Sequence, residues 1–259
     1  MLLSTMSTYG LHHLEYNALF KMNIRTHHID YVGSFPNEEF QRYWLYTSIN
    51  ECNGKLYFTP GSAYEIGVYD VKSQRFEKIN IGITKQDNDL SKIKYARKFM
   101  SCFVYDNNLI LIPWCYDKTI YYDTVAGTLS VSNELFDYFY TKYKNFTTFP
   151  GYLCCLAGNI NESEIVFNLF CSKNIVFFYN LQTKEYREKP VGNEQRTFKF
   201  IEYDDKQVYL YDDKANILIK WGIEDCKYSE CHIADNVPEF KPGVWLVPNI
   251  VVMGKRKKI

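Results

Sequence analysis

Three arginines stand at nearly equivalent places in the chain: Arg42, Arg97 and Arg196. Each opens a short apolar run, and lysine or aromatic residues lie close by, namely Lys98, Lys199, Tyr43, Trp44 and Phe198. A guanidinium offers a planar fork of donors that grips a carboxylate or a phosphate with two parallel bonds. Aromatic rings beside it stack on a sugar or a base. If the three positions converge at one mouth of the fold, Arg42, Arg97, Arg196 and Lys199 with Tyr43 and Trp44 form a shallow anion site. The plainer reading is that each arginine pairs with a local acid or faces water.

Other constellations carry less. The eight cysteines include no C-x-x-C pair, and most fall inside apolar runs, which reads as free, buried thiols in a reducing compartment. Adjacent Cys154 and Cys155 would point to opposite faces of a strand, so they do not share a metal. Cys226, Cys231 and His232 have a loose metal-like spacing without a fourth ligand nearby. The pairs His12-His13 and His27-His28 offer one ligand per strand face each. There is no nucleophile elbow, P-loop or dinucleotide fingerprint. No metal and no cofactor is expected. Asn145-Phe146-Thr147 and Asn161-Glu162-Ser163 match the glycosylation acceptor, which carries no weight without a secretory signal.

A repeat of about 50 residues must position these side chains, and its length marks a repeat architecture. Asn53-Gly54-Lys55 leads into Leu56 to Pro60 and then Tyr69-Asp70; Asp106-Asn107-Asn108 leads into Leu109 to Pro113 and then Tyr122-Asp123. Glu162 to Ile165 leads into Val166 to Phe170 and then Tyr179-Asn180; Asp205-Lys206-Gln207 leads into Val208 to Asp212 and then Trp221-Gly222. In all four copies nine residues separate the end of the apolar run from the aromatic. Runs of this length, rich in Ile, Val, Tyr and Phe and bounded by Asn, Asp, Gly and Lys, are strands. A further strand follows each aromatic, as in Arg75 to Ile81 and Lys184 to Lys189. Another precedes each run, at Arg42 to Ser48, Arg97 to Tyr105, Gly151 to Ala157 and Arg196 to Tyr203. Four antiparallel strands per repeat is the plan of a propeller blade.

The two ends supply a fifth copy. Met22 to Thr26 aligns with Tyr69 to Ser73, with Leu11 to Leu14 as the strand before it and His28 to Val32 as the strand after. Pro242 to Val247 resembles Pro150 to Cys155 and supplies the missing inner strand. The expectation is an all-β fold, a β-propeller of about five four-stranded blades, closed by N- and C-terminal strands in one composite blade that removes the sheet edge. Residues 1–259 then form one domain, with residues 1–14 partly disordered, 254–259 a basic tail and 132–148 an insertion. Leu135, Phe136, Phe139, Tyr140 and Tyr143 recur at helical spacing in that insertion.

The short apolar strand, the Tyr-Asp step and the polar turn before a further strand resemble kelch-like and related propeller repeats over residues 15 to 248. The Gly-Gly doublet of that family and its spaced Tyr and Trp pair are absent. The resemblance implies the fold and transfers no functional residue. Such propellers include interaction modules, lectins and enzymes, and fold does not select among them.

Composition narrows the classes. Lys+Arg and Asp+Glu are both 30, which argues against nucleic acid as the main partner. Hydrophobic residues make up 46%, enough for a large core, yet no run approaches a membrane span. A cytoplasmic monomer is expected, with a protein or glycan ligand held by loops on one face. The alternative is a glycosidase-like enzyme, which needs two carboxyl groups facing each other. Among the expected inner strands only Glu202 is acidic, so loop acids such as Glu38, Glu39, Asp235 and Glu239 would have to serve.

Overall fold

A computed structural model of the chain describes residues 2–4, 17–23, 25–38, 45–84, 98–114, 116–143, 154–159, 163–169, 174–192, 196, 198, 200–203, 206–212, 215–232 and 249–251. The fold is all-β, built from antiparallel strands in five small sheets. The first sheet has β1 (Leu2–Ser4), β2 (Leu19–Met22), β3 (Ile29–Gly33) and β20 (Asn249–Val251), in the order β20-β1-β2-β3. The second runs in sequence through β4 (Tyr46–Cys52), β5 (Lys55–Pro60), β6 (Glu65–Asp70) and β7 (Arg75–Asn80). The third has β8 (Phe99–Tyr105), β9 (Asn108–Pro113), β10 (Thr119–Asp123) and β11 (Leu129–Ser132). The fourth has β12 (Cys154–Asn159), β13 (Glu164–Leu169), β14 (Ile175–Asn180) and β15 (Tyr186–Pro190). The fifth has β16 (Phe200–Tyr203), β17 (Gln207–Asp212), β18 (Ile217–Gly222) and β19 (Tyr228–His232). One helix, α1 (Glu134–Tyr143), follows β11 inside the expected insertion.

The repeat aligned by its aromatics is a repeated turn. At the end of the third strand Asp70, Asp123 and Asn180 each accept two backbone N–H bonds, from the residues two and three further on, at 2.8–2.9 Å. Asn23 does the same at 2.9 and 3.2 Å. A short polar side chain that replaces a backbone partner is what makes Asp and Asn turn residues. The fifth residue of each turn is left-handed: His27, Gln74, Gly127, Lys184 and Cys226 have φ between 55° and 69°. Its N–H donates to the carbonyl of the residue four back in every copy. Two of the inner hairpins close on residue pairs at positive φ, Asn53-Gly54 and Asp106-Asn107, which fits the mirror-image turns that match strand twist.

Alternate side chains along the middle strands of the sheets serve two different cores. In β13, Ile165 and Phe167 pack against Phe103, Ile110 and Ile112 of the third sheet. Val166 between them packs against Val208, Leu210 and Trp221 of the fifth. In β14, Phe177 and Tyr179 join the former core, Val176 and Phe178 the latter. The second and third sheets share Tyr57, Ile66, Val68, Cys102, Leu109 and Leu111. The first and second share Leu19, Phe35, Tyr46, Leu56 and Phe58. A sheet buried on both faces needs apolar residues at consecutive positions, which explains unbroken runs such as Leu109-Ile110-Leu111-Ile112. The first strands β20, β4, β8, β12 and β16 neighbour one another in succession along one side of the stack.

Several expected boundaries change. The inner strands begin later, β4 at Tyr46 and β16 at Phe200, so Arg42 and Arg196 precede their strands. β4 also extends to Cys52 and so includes Glu51, whose carboxylate accepts the Gly54 N–H at 2.9 Å and serves the hairpin turn. The composite sheet uses Leu2–Ser4 and Asn249–Val251. The expected segments Leu11 to Leu14 and Pro242 to Val247 lie outside the described residues.

Gly67 in β6 leaves room for Phe35. A Cβ there would lie 2.7 Å from the Phe35 ring, which is wedged among Tyr46, Phe58 and Phe76 at centroid distances of 4.9–5.1 Å. Gly67→Ala is expected to cost about 1–3 kcal/mol by overpacking, read as a lower urea midpoint with an unchanged slope.

Candidate functional site

Thr47, Thr59, Ser62, Lys98, Thr119, Asn174 and Asp212 are buried polar or charged residues, and all lie at one end of the sheets, the end where the inner strands begin; the Glu38 side chain is buried there too, while the buried Asn50 amide lies further along β4. Three inner strands carry a register shift at this same end, at Tyr46/Ser48, Phe99/Ser101 and Cys154/Leu156. Bulges of this kind re-aim side chains at the rims of β structures. The first of them turns Thr47 so that its hydroxyl donates to the Phe99 carbonyl at 2.9 Å, tying β4 to β8. Beside it the Ser48 and Thr59 hydroxyls share a bond of 2.6 Å.

Lys98 stands just before β8 and is 1% exposed. Its ammonium lies 4.8 Å from the centroid of the Tyr64 ring, close enough for a cation–π attraction strengthened by burial. Its backbone holds two loops together: Lys98 N–H donates to the Gly61 carbonyl at 3.1 Å, and Trp114 N–H donates to the Lys98 carbonyl at 2.7 Å.

Of the six residues assigned to the anion site, Arg196 is described. Its Nη1 donates to Glu230 Oε1 at 2.6 Å, and its Nε stands 3.9 Å from Asp212 Oδ2. The hydrogen bond to Glu230 outweighs burial and holds the guanidinium above its ordinary pKa. Two carboxylates therefore serve this arginine, which ties the segment after β15 to the fifth sheet. Arg42, Arg97, Lys199, Tyr43 and Trp44 lie outside the described residues.

A second ionic group was not apparent from sequence. Lys78 Nζ is 3.1 Å from Glu38 Oε1 and 3.0 Å from Glu65 Oε2. Glu38 is buried and also accepts the Tyr46 hydroxyl at 3.1 Å. The Lys78 ammonium thus bridges the two carboxylates. The group anchors the segment after β3, which leads toward Arg42.

The metal and thiol readings resolve in part. Among the described residues no three His, Cys, Asp or Glu side chains cluster for a metal ion. Cys52 and Cys102 are buried, as expected, and burial pushes the Cys102 thiol up to about 12. Cys226 and Cys231 are exposed, against expectation. The first occupies the left-handed turn position, and the second lies on β19, whose residues are all exposed. His28 pairs with Asp30 at 2.9 Å on the surface. No helix among the described residues is long and apolar enough to cross a membrane.

No protein-family model matches the chain, and no curated protein does. Solved structures do. One is the extracellular domain of a B. thetaiotaomicron protein described as a hybrid two-component system, with a TM-score of 0.54 at 8% identity over 84% of this chain. Another, described as the extracellular domain of a one-component system of the same organism, gives 0.53 at 7% identity over 83%. The chain spans 28% and 27% of those structures' lengths. At such identity the likeness concerns fold alone, and 644 solved chains share it.

The Glu38 group predicts a response to alkali. Burial and then the Glu38 charge push the Tyr46 phenol far above its ordinary value of 10.0. Burial alone would lower the Lys78 ammonium, but its bonds to Glu65 and Glu38 hold it above 10.5. Burial also raises Tyr57, Tyr179 and Tyr186 to about 12. The folded state thus keeps protons that the unfolded state releases from about pH 10 upward, so stability intact below pH 10 is lost above it. The urea midpoint should fall between pH 10 and 12, and Tyr46→Phe with Lys78→Met should flatten that fall. A midpoint constant to pH 11.5 would contradict the reading.

Proposed function

We propose that the five sheets are the blades of a β-propeller closed through the composite first sheet, and that this propeller is a non-catalytic binding module. Its ligand, a protein segment or a glycan, is held by the loops at the end where the inner strands begin. The propeller reading is supported by the cores shared between consecutive sheets and by the pairing of β1 with both β2 and β20. It gathers the inner strands around an axis with their leading ends at one mouth. The binding reading rests on one observation, the segregation of buried polar side chains to that mouth. Polar groups taken from water cost stability unless they are bonded, and no packing requirement places so many of them at one end. The outer strands β7 and β19 end there and the inner strands β8, β12 and β20 begin there, and binding residues concentrate on loops held by a rigid scaffold.

Thermal shift against neutral sugars, uronates, phosphates and nucleotide sugars tests this reading, using the intact chain and a Tyr43→Ala, Trp44→Ala, Arg97→Ala variant. A ligand at 100 times its Kd adds about 2.7 kcal/mol, a rise of a few degrees for a domain of this size. A wild-type shift that the variant loses supports a small-molecule or glycan site at the mouth. A shift that survives the variant moves the site elsewhere. No shift with any compound removes the glycan and anion ligands and leaves a protein ligand, sought by affinity capture with the same variant as control.

A further inference from the structure

The turn that joins β4 to β5 contains the one Asn-Gly step of the sequence, Asn53-Gly54. Such a pair is ordinary in a tight hairpin, since both residues take positive φ, here 52° and 76°. Both are exposed. Chemically the step is fragile, because glycine has no side chain to shield its nitrogen from the amide that precedes it. A Cβ added at Gly54 would meet nothing within 4 Å, so that nitrogen is open to water and base.

Three hydrogen bonds hold the two reacting groups. Gly54 N–H donates to Glu51 Oε1 at 2.9 Å. Asn53 Nδ2 donates to Asn107 Oδ1 at 3.1 Å and to Thr124 Oγ1 at 3.4 Å. The Thr124 acceptor is itself fixed, because its hydroxyl and its N–H both donate to the Asn107 carbonyl, at 2.8 and 3.0 Å. Asn53 therefore ties the hairpin of the second sheet to the hairpin and turn of the third.

We infer that Asn53 is a deamidation site, kept in its amide form by Glu51 and by the bridge to the third sheet. The reaction is an acyl substitution. Gly54 N attacks Asn53 Cγ, the bond from Cγ to Nδ2 breaks, and ammonia leaves with the proton given up by Gly54 N–H. The cyclic imide that forms takes up one water. Opening at Cγ gives aspartate. Opening at the backbone carbonyl of residue 53 gives isoaspartate, whose main chain runs through Cβ and Cγ.

Each contact opposes one part of that step. The nucleophile is the deprotonated nitrogen. A carboxylate bonded to Gly54 N–H keeps the proton in place, and its charge disfavours a second negative charge beside it. The two bonds to Nδ2 hold the Asn53 amide toward the third sheet and fix the plane that must turn onto Gly54 N. Isoaspartate adds one carbon to the backbone of a two-residue turn between the paired Cys52 and Lys55, and turn length sets hairpin register. It also has no Nδ2 to donate to Asn107. Modification thus loosens the second sheet from the third, at the end of the sheets away from the proposed ligand site. The inference does not rest on that site.

The test is ageing of the intact protein at mildly alkaline pH, well below its Tm. The tryptic peptide of residues 43–55 is followed by mass spectrometry for conversion of the Asn53 amide to an acid. Folded wild type should convert at least about threefold more slowly than the same protein in urea, and Glu51→Ala should recover about three- to tenfold in rate, the range set by a hydrogen bond to a charged group. Glu51→Gln keeps an acceptor without the charge and should fall between. Asn107→Ala should also speed conversion. Gly67→Ala, which weakens the same sheet without touching the hairpin, should age like wild type.

Equal rates for folded and urea-unfolded wild type overturn the proposal. So does an unchanged rate in Glu51→Ala, and a slower one would make Glu51 a base that promotes the attack. If Gly67→Ala ages as fast as Glu51→Ala, global unfolding explains the rate and the guarding role is lost. Isoaspartate-bearing protein, separated from fresh protein by its added negative charge, should melt at a lower temperature. An equal Tm would overturn the loosening of the two sheets.

Discussion

The molecule depends on one constraint: its middle sheets are apolar on both faces. Phe177 and Phe178 are adjacent in β14 and both fully buried, yet they belong to different cores. A four-stranded sheet of that kind is not stable with water on either side. Full burial of one such side chain is worth about 1.5–3 kcal/mol, and the second, third and fourth sheets carry such residues on both faces. Each of these three therefore needs a neighbour on both sides. The first sheet is assembled from distant parts of the chain, by pairing of β1 with β20 through Leu2↔Val251 and Ser4↔Asn249.

What remains in water is the outermost strand of each sheet, and that strand carries the variety. β19 is exposed along its whole length, and β11 nearly so. The inner strands share one task, burial on two sides. Three of the outer strands each meet a different segment, so a phenylalanine wedge, a helix and an arginine stand at equivalent places. Electrostatics follows the same division. The Lys78 and Arg196 ion pairs stand at the margins and clamp the segments that bridge sheets.

Much of this is legible in the sequence, and for a physical reason. The Tyr-Asp step is readable because Asp70, Asp123 and Asn180 must fold back on their own backbone, which fixes residue type and spacing together. The partners were not legible. Nothing local links Arg196 to Glu230 or Glu38 to Lys78, since those contacts cross 34 and 40 residues and depend on how the sheets nest. The inner strands of the second to fifth sheets begin two to four residues later than expected, because an arginine or a tryptophan before an apolar run does not reveal where pairing begins.

The junction of β1 and β20 has a consequence for how this chain could be rewired. Leu2 and Val251 are direct partners in the ladder, so the two ends of the described fold meet within one sheet. A circularly permuted gene that joins them by a short linker and opens the chain in residues 85–97 would preserve every described pairing in the five sheets. It would also turn the composite sheet into one carried by continuous chain and move the chain ends to the junction between the second and third sheets.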